Sequence, residues 1–374
     1  MLRVGPLSAS TTESMGTEYQ RIVRRRILIL SVLPIVLFVT VIVGTFIGTT
    51  GPIGPGIRTA TGEIQRISFE DAVDAILHGH GNWPFDYHAI FWTQRIPRVL
   101  LAVLVGASLA CAGTAMQAVF RNPMADPFIV GVSSGASVGA VAATLSGLAA
   151  FAVVGTFLTP LLAFCTALLT VFVVYRLGTV KGKVYVDTLL LSGVAMAAFL
   201  GAIVSSLIYF ARQEFHRVIF WLLGSLSMQS WTADAILALT VGVGVLVIFL
   251  YSRDLNALLL GEETAHNLGT DPEALKTIML IVAAVMTSAA VAFTGVIGFI
   301  GLIIPHMMRI VVGADHRVLV PASTLAGAIF LVWADAIART VISPNTLPVG
   351  IVTAMCGGPF FLYLLRRSRV EGEK

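Results

Sequence analysis

Hydrophobic positions along this chain run in long unbroken blocks, not in strand-like alternation or a one-sided helical stripe. Ten such blocks lie at approximately 27–49, 96–118, 130–148, 152–175, 188–210, 233–252, 275–295, 298–313, 318–340 and 348–366. A helix needs roughly 20 apolar residues to cross hydrocarbon. The bilayer offers no partners to backbone N–H and C=O groups, so blocks of this kind predict spanning helices. The stretch 277–308 contains no Asp, Glu, Lys or Arg and is short for two crossings. Its Gly295, Gly298 and Gly301 permit a tight turn and close helix packing, so it is divided into two spans. The apolar segment 218–231 is shorter and predicts a periplasmic or re-entrant helix.

The polar intervals set the expected orientation. Residues 1–20 are rich in Ser and Thr and read as a flexible cytoplasmic tail, leaving 21–374 as a single transmembrane domain. Arg21 and Arg24–Arg26 precede the first block as in a signal peptide, but the block is too long and no A-x-A site follows. With the N-terminus inside, 17 of the 24 Lys and Arg residues fall in cytoplasmic segments. Fusing 277–308 into one span would put the basic C-terminus outside, so the positive-inside rule favours ten spans with both ends cytoplasmic. The one long outer loop is 50–94, which includes Gly51–Gly56, and the longest inner loop is 253–275.

Composition agrees: 57% of residues are hydrophobic and 12% charged, at a mean hydropathy of +0.90. Soluble domains carry about 25% charged residues. The net charge of +4 sits in loop clusters without a basic, aromatic-laced patch, which argues against nucleic acid as a partner. Cys111, Cys165 and Cys356 lie far apart in apolar blocks and read as small buried hydrophobes. Gly131-Val132-Ser133-Ser134-Gly135 matches the G-x-S-x-G elbow, but it opens a membrane span and not a strand-to-helix turn. Gly178–Val184 resembles a P-loop with one residue too few and no hydroxyl after the lysine, so it reads as a basic turn. The histidines form no ligand pattern, and His306, after Pro305, reads as a packing residue. Neither a metal site nor a cofactor is expected in this chain.

Other motifs carry more. Arg95-Ile96-Pro97-Arg98 stands at the outer mouth of the second span, with two guanidiniums spaced to share a helix face. They suit either interfacial anchoring or a clamp on partner carboxylates. Arg339 lies one turn after Asp335 near the outer end of the ninth span, placed to pair with it or to join the other arginines. Arg121-Asn122-Pro123-Met124-Ala125-Asp126-Pro127 predicts a stiff cytoplasmic double turn, each proline preceded by a capping side chain. In the inner loop, Leu255, Asn256, Leu258 and Leu259 predict one short helix that Gly261 ends. Glu262, Glu263, Ala265 and Leu268 predict a second, up to Gly269, and Asp271-Pro272 starts the seventh span. Such a pair is either a docking knob or a surface helix on lipid headgroups.

In this order, RIPR (95–98), GASLACAG (106–113), RNPMADP (121–127), GVSSGA (131–136), LNALLLGEETAHNLG (255–269), GVIGFIGLIIPHMMR (295–309), ADHRVLVPASTLAGA (314–328), and LPVG with GGPFF at 347–361 are specific. From about residue 90 to 366 the chain resembles the FecCD-like permease subunits of type II ABC importers for ferric siderophores, haem and cobalamin. The resemblance implies an all-α integral membrane protein of about ten transmembrane helices per subunit, working as a homodimer in a bacterial inner membrane. Implied partners are a second copy, two ATP-binding cassette subunits that hold ATP and Mg, a periplasmic binding protein, and membrane lipid. It assigns Arg95, Arg98 and Arg339 to binding-protein docking and 255–269 to ATPase coupling. It places a gate near Val184–Thr188, where Asp187 departs from the family's small hydroxyl residues. Tyr209 and Phe210 suit contact with a flat macrocycle and equally an interfacial aromatic belt. The wording of the inner loop resembles haem permeases, so haem is the first cargo expected, then a ferric siderophore, then cobalamin. A stand-alone secondary transporter would need midspan ion-coupling carboxylates. Asp335 is the one candidate, and Arg339 stands beside it.

Overall fold

The computed structural model describes residues 9–48, 52–53, 57–58, 64–65, 67–77, 87–147, 152–211, 214–342 and 345–372. All ten apolar blocks are helical. The first, α1 (Ala9–Phe46), begins inside the segment expected to be a loose tail; residues 1–8 lie outside the described part. The outer loop, of which the Gly51–Gly56 stretch is largely outside the described residues, holds the two-residue strands β1 (Ile57–Arg58) and β2 (Ile64–Gln65) and helix α2 (Phe69–Leu77). One turn, α3 (Tyr87–Ala89), and a π-helical segment, Ile90–Arg95, lead into α4 (Ile96–Val119), with Pro97 in its first turn.

After α4 come α5 (Val132–Leu145), α6 (Ala152–Gly178), the hairpin β3 (Thr179–Val180) and β4 (Lys183–Val184), and α7 (Val186–Phe210). Of the predicted non-spanning helix at 218–231 only the first residues are helical, in α8 (Phe215–Leu222); an irregular stretch follows before α9 (Trp231–Leu250). Two brief helices, α10 (Ser252–Leu259) and α11 (Glu262–Asn267), form the inner loop. The rest is α12 (Pro272–Thr294), α13 (Ile300–Val312), α14 (His316–Thr340) and α15 (Val349–Gly372).

Seven of these helices are long and apolar enough to cross a membrane; α5, α13 and the apolar part of α15 are shorter. At 1.5 Å per residue, the 13 residues of α13 reach only about 20 Å. The non-helical turn before it is packed by protein, which is what irregular backbone within a membrane-spanning body requires. A β-carbon at Gly295 would fall on the Trp221 carbonyl, and Ser225 N donates to Thr294 O at 2.7 Å. The predicted break within 277–308 is therefore real, and the loop after α8 seals it.

Helix α4 is buried along nearly its whole length, and two apolar clusters meet on it. Small residues let its neighbours approach. A β-carbon on Gly106 would collide with the Gly327 carbonyl of α14, and one on Gly113 with the Gly301 carbonyl of α13. The G-x-S-x-G look-alike does the same work: Gly135 and Gly139 lie against Thr166 and Thr170 of α6, and a 3-10 turn, not a strand, precedes it. Cys111 is buried as expected, whereas Cys165 and Cys356 are exposed on helix surfaces that need no polar partner.

Candidate docking, coupling and gate sites

The two ends of the bundle collect different groups. At one end, Arg95, Arg98 and Arg339 converge, but they do not stand free. Asp335, 1% exposed, accepts a forked contact from Arg98: Nε and Nη2 donate to Oδ1 at 3.0 and 2.8 Å. Arg339 Nε lies 2.8 Å from the other oxygen, Oδ2, the i,i+4 pair foreseen from spacing. Arg339 also donates to the carbonyls of Ile47 (2.7 Å) and Gly44 (3.1 Å), and Arg95 to that of Thr45 (3.3 Å). Arg95 in addition stacks on the Phe91 ring, 4.9 Å from its centroid. The carbonyls at a helix C-terminus lack intrahelical partners, and here arginines from α14 and from the π-helical segment before α4 supply them to the end of α1. Whichever side they serve, all three are largely buried and not exposed, because α1 and Asp335 offer them acceptors that lipid does not.

At the other end lies the inner loop, folded as predicted. Gly261, at φ +111°, separates α10 from α11, and Asp271 caps α12 by accepting from Glu273 N (3.0 Å) and Ala274 N (3.2 Å). Leu255, Leu258 and Ala265 are buried and fix the knob to the bundle instead of facing a partner. That is what an amphipathic eight-residue helix on α4 and α14 must do with its apolar side. Glu263, Leu268 and Gly269 are exposed, as is Leu260 within the same run; Asn256, Leu259, Gly261 and Glu262 are half-buried. Asn256 ties the knob to α14: its Nδ2 donates to Asp315 Oδ1 and its Oδ1 accepts from His316 N, both at 2.8 Å. Burial pushes the Asp315 carboxyl up, but hydrogen bonds from Arg317 and Asn256 outweigh this and hold it at about 2.

The double turn beside the knob is stiff for the predicted reason. Asn122 Oδ1 accepts from Met124 N (2.9 Å) and Asp126 Oδ1 from Phe128 N (2.7 Å), with Pro123 and Pro127 following the two caps. Gly131, at φ +85°, then turns the chain into α5, and Arg121 reaches Glu262 at 3.4 Å. Pro305 sits inside α13. The P-loop look-alike is a tight β-hairpin, with positive φ at Lys181 and Gly182. It leads into α7, where Asp187 and Thr188 are exposed in the first turn and Tyr209 and Phe210 at the far end. Most of α7's surface, Leu191, Val194 and Phe199 included, is uncovered by the rest of the chain.

The profile of the FecCD transport family matches residues 57–367. This chain belongs to that family. It is 50% identical to the cobalamin import system permease protein BtuC of Halobacterium salinarum over 77% of this chain and 76% of that one. It is 40% identical to the hemin transport system permease protein HmuU of Yersinia pestis, over 75% of this chain and 84% of that one. A solved chain described as an ABC transporter of metal-chelate type, in an inward-facing conformation, superimposes with a TM-score of 0.75 at 28% identity, covering 91% of this chain and 99% of that one. The FecCD chain is thus a multi-pass membrane permease of the ABC importer class for iron chelates, haem and cobalamin.

Sequence reasoning missed several residues of the FecCD sites. Lys276, at the start of the 275–295 block, drew no role, yet it is 1% exposed and bonded to α11, to β4 and to its own helix. Its partner Glu273 was detectable as an i,i+3 pair; Glu262 and Val184 were not. Asp234, in the first turn of α9, is buried with neither carboxylate oxygen hydrogen-bonded among the described residues.

Proposed function

We propose that this FecCD chain forms a homodimeric pathway in the cytoplasmic membrane, with both termini inside, and imports a cobalt corrinoid of the cobalamin type. A separate pair of ATPases supplies the energy and holds ATP and Mg, and an extracytoplasmic binding protein delivers the cargo. What supports the cargo assignment is the 50% identity to the haloarchaeal cobalamin permease alone, above the 40% to a hemin permease and the 38% to a vitamin B12 permease of Klebsiella pneumoniae. The inner-loop wording that pointed to haem lies in the knob, which faces the ATPase and not the cargo, so it carries no weight about what is moved. Haem is the second reading.

The largely uncovered α7 supports a dimer: its exposed aromatics Tyr209 and Phe210 suit one mouth of a pathway, and Asp187 and Thr188 the other. The knob supports coupling, with Glu263, Leu268, Gly269 and Leu260 presented to a partner groove. Asp335, held by two arginines, is a poor ion-coupling acid for a stand-alone transporter. The arginine cluster remains the proposed docking end, reached by acidic groups that compete with Asp335.

The test is uptake into proteoliposomes holding the permease, its ATPase and its binding protein, with radiolabelled cyanocobalamin, haem and a ferric siderophore offered separately. ATP-dependent accumulation of cyanocobalamin supports the proposal. Accumulation of haem alone replaces it with the second reading, and accumulation by the permease without ATPase overturns the importer reading.

A further inference from the structure

A buried cation links the ATPase-facing knob to the base of α7. Lys276, in the second turn of α12, is 1% exposed, and its ammonium has three donors. Each finds an acceptor on a different element: Glu273 Oε1 of α12 at 2.6 Å, Val184 O of β4 at 3.2 Å, and Glu262 Oε1 of α11 at 3.3 Å. The second oxygen of Glu273 accepts from Val184 N at 2.6 Å. Both backbone groups of Val184 are therefore held by one Glu–Lys pair. Val184, itself buried, ends the hairpin two residues before α7 begins. Arg121 adds a second cation on Glu262, so two acids and two bases close the network.

Resting on the importer reading, we infer that Lys276 is a positioning residue that makes the knob and the foot of α7 move as one body. A buried lysine costs desolvation that a well-packed methionine would not, and removing one partner strands the others. The network's geometry is what a rigid link needs: α12, the neighbouring α11 and the β4 strand, 92 positions away, share one point charge, with each donor used once. When a partner shifts α11, Glu262 pulls on Lys276, and Lys276 and Glu273 together carry Val184 and the start of α7.

The experiment uses the complete importer in proteoliposomes with radiolabelled cyanocobalamin, or haem if the cargo test selects it. Uptake per ATP hydrolysed is measured for the parent, K276M and K276R, with spin labels on K181C and H266C reporting the hairpin-to-knob distance. K276M is expected to lower uptake per ATP about tenfold, with K276R recovering part of it. The spin–spin distance, narrow through the ATP cycle in the parent, broadens in K276M. A ratio within about twofold of the parent together with an unchanged distance distribution overturns the link. If K276M fails to assemble, E273Q, which loosens Val184 but keeps the lysine, decides on the same two readouts. Absence of ATP-driven uptake in the parent itself would sink the importer reading instead.

Discussion

Replacing Asp335 by asparagine probes how much the arginine cluster contributes. The side chain keeps its volume, so no cavity opens and the change isolates charge. Asp335 is 1% exposed, and Arg98 and Arg339, with side chains 13% and 7% exposed, lie against its two oxygens. In D335N both guanidiniums face an uncharged amide at depth. Leaving a buried ion without its partner costs about 3–5 kcal/mol. With two cations sharing one anion, the upper half of that range is expected, reduced by the carbonyls that Arg339 retains at Ile47 and Gly44. Because α1 is fastened through those same groups, the loss should show first as release of α1. The assay is thermal unfolding of the purified permease in nanodiscs, paired with protease accessibility of the segment after α1. D335N should lower the apparent midpoint by several degrees and hasten cleavage there. A midpoint and cleavage rate indistinguishable from the parent would show that the cluster is not structural, and would restore the reading of these arginines as free docking groups.

Two further tests address the knob. Gly261 adopts φ +111° and ψ +154°, a region essentially reserved for glycine, so G261A should cost about 1–3 kcal/mol locally. It should lower the affinity for the ATPase in a pull-down titration; unchanged affinity would mean the α10–α11 turn is not part of the contact. Asp315, held at about 2 in the fold, stabilises α14's start and the Asn256 contact above the ordinary aspartate value near 4. That contribution is lost as pH falls through about 2, so the midpoint gap between the parent and D315N should be full at pH 5 and shrink towards pH 2. A gap independent of pH would refute the assignment.

The hydrophobic blocks, the caps and the glycines were legible in the sequence because each acts over a few neighbouring residues. Asp271-Pro272 starts α12 and Gly261 ends α10 by local backbone chemistry, and the charge-free 277–308 segment divides at its glycines for the same reason. Lipid strengthens this legibility, since a spanning segment must satisfy its own backbone. Where charges sit in space was not legible. Arg98 and Asp335 are 237 positions apart, and Lys276 and Val184 are 92. No spacing rule links such pairs, so only packing decides whether a guanidinium faces a partner or a buried carboxylate. The sequence by itself determined a helical body with an inner knob and arginines at the opposite end. Tertiary structure alone decided that those arginines fasten α1 and that the buried Lys276 ammonium bridges the knob and the hairpin before α7, because in a low-dielectric interior a cation is stable only where the fold brings acceptors near.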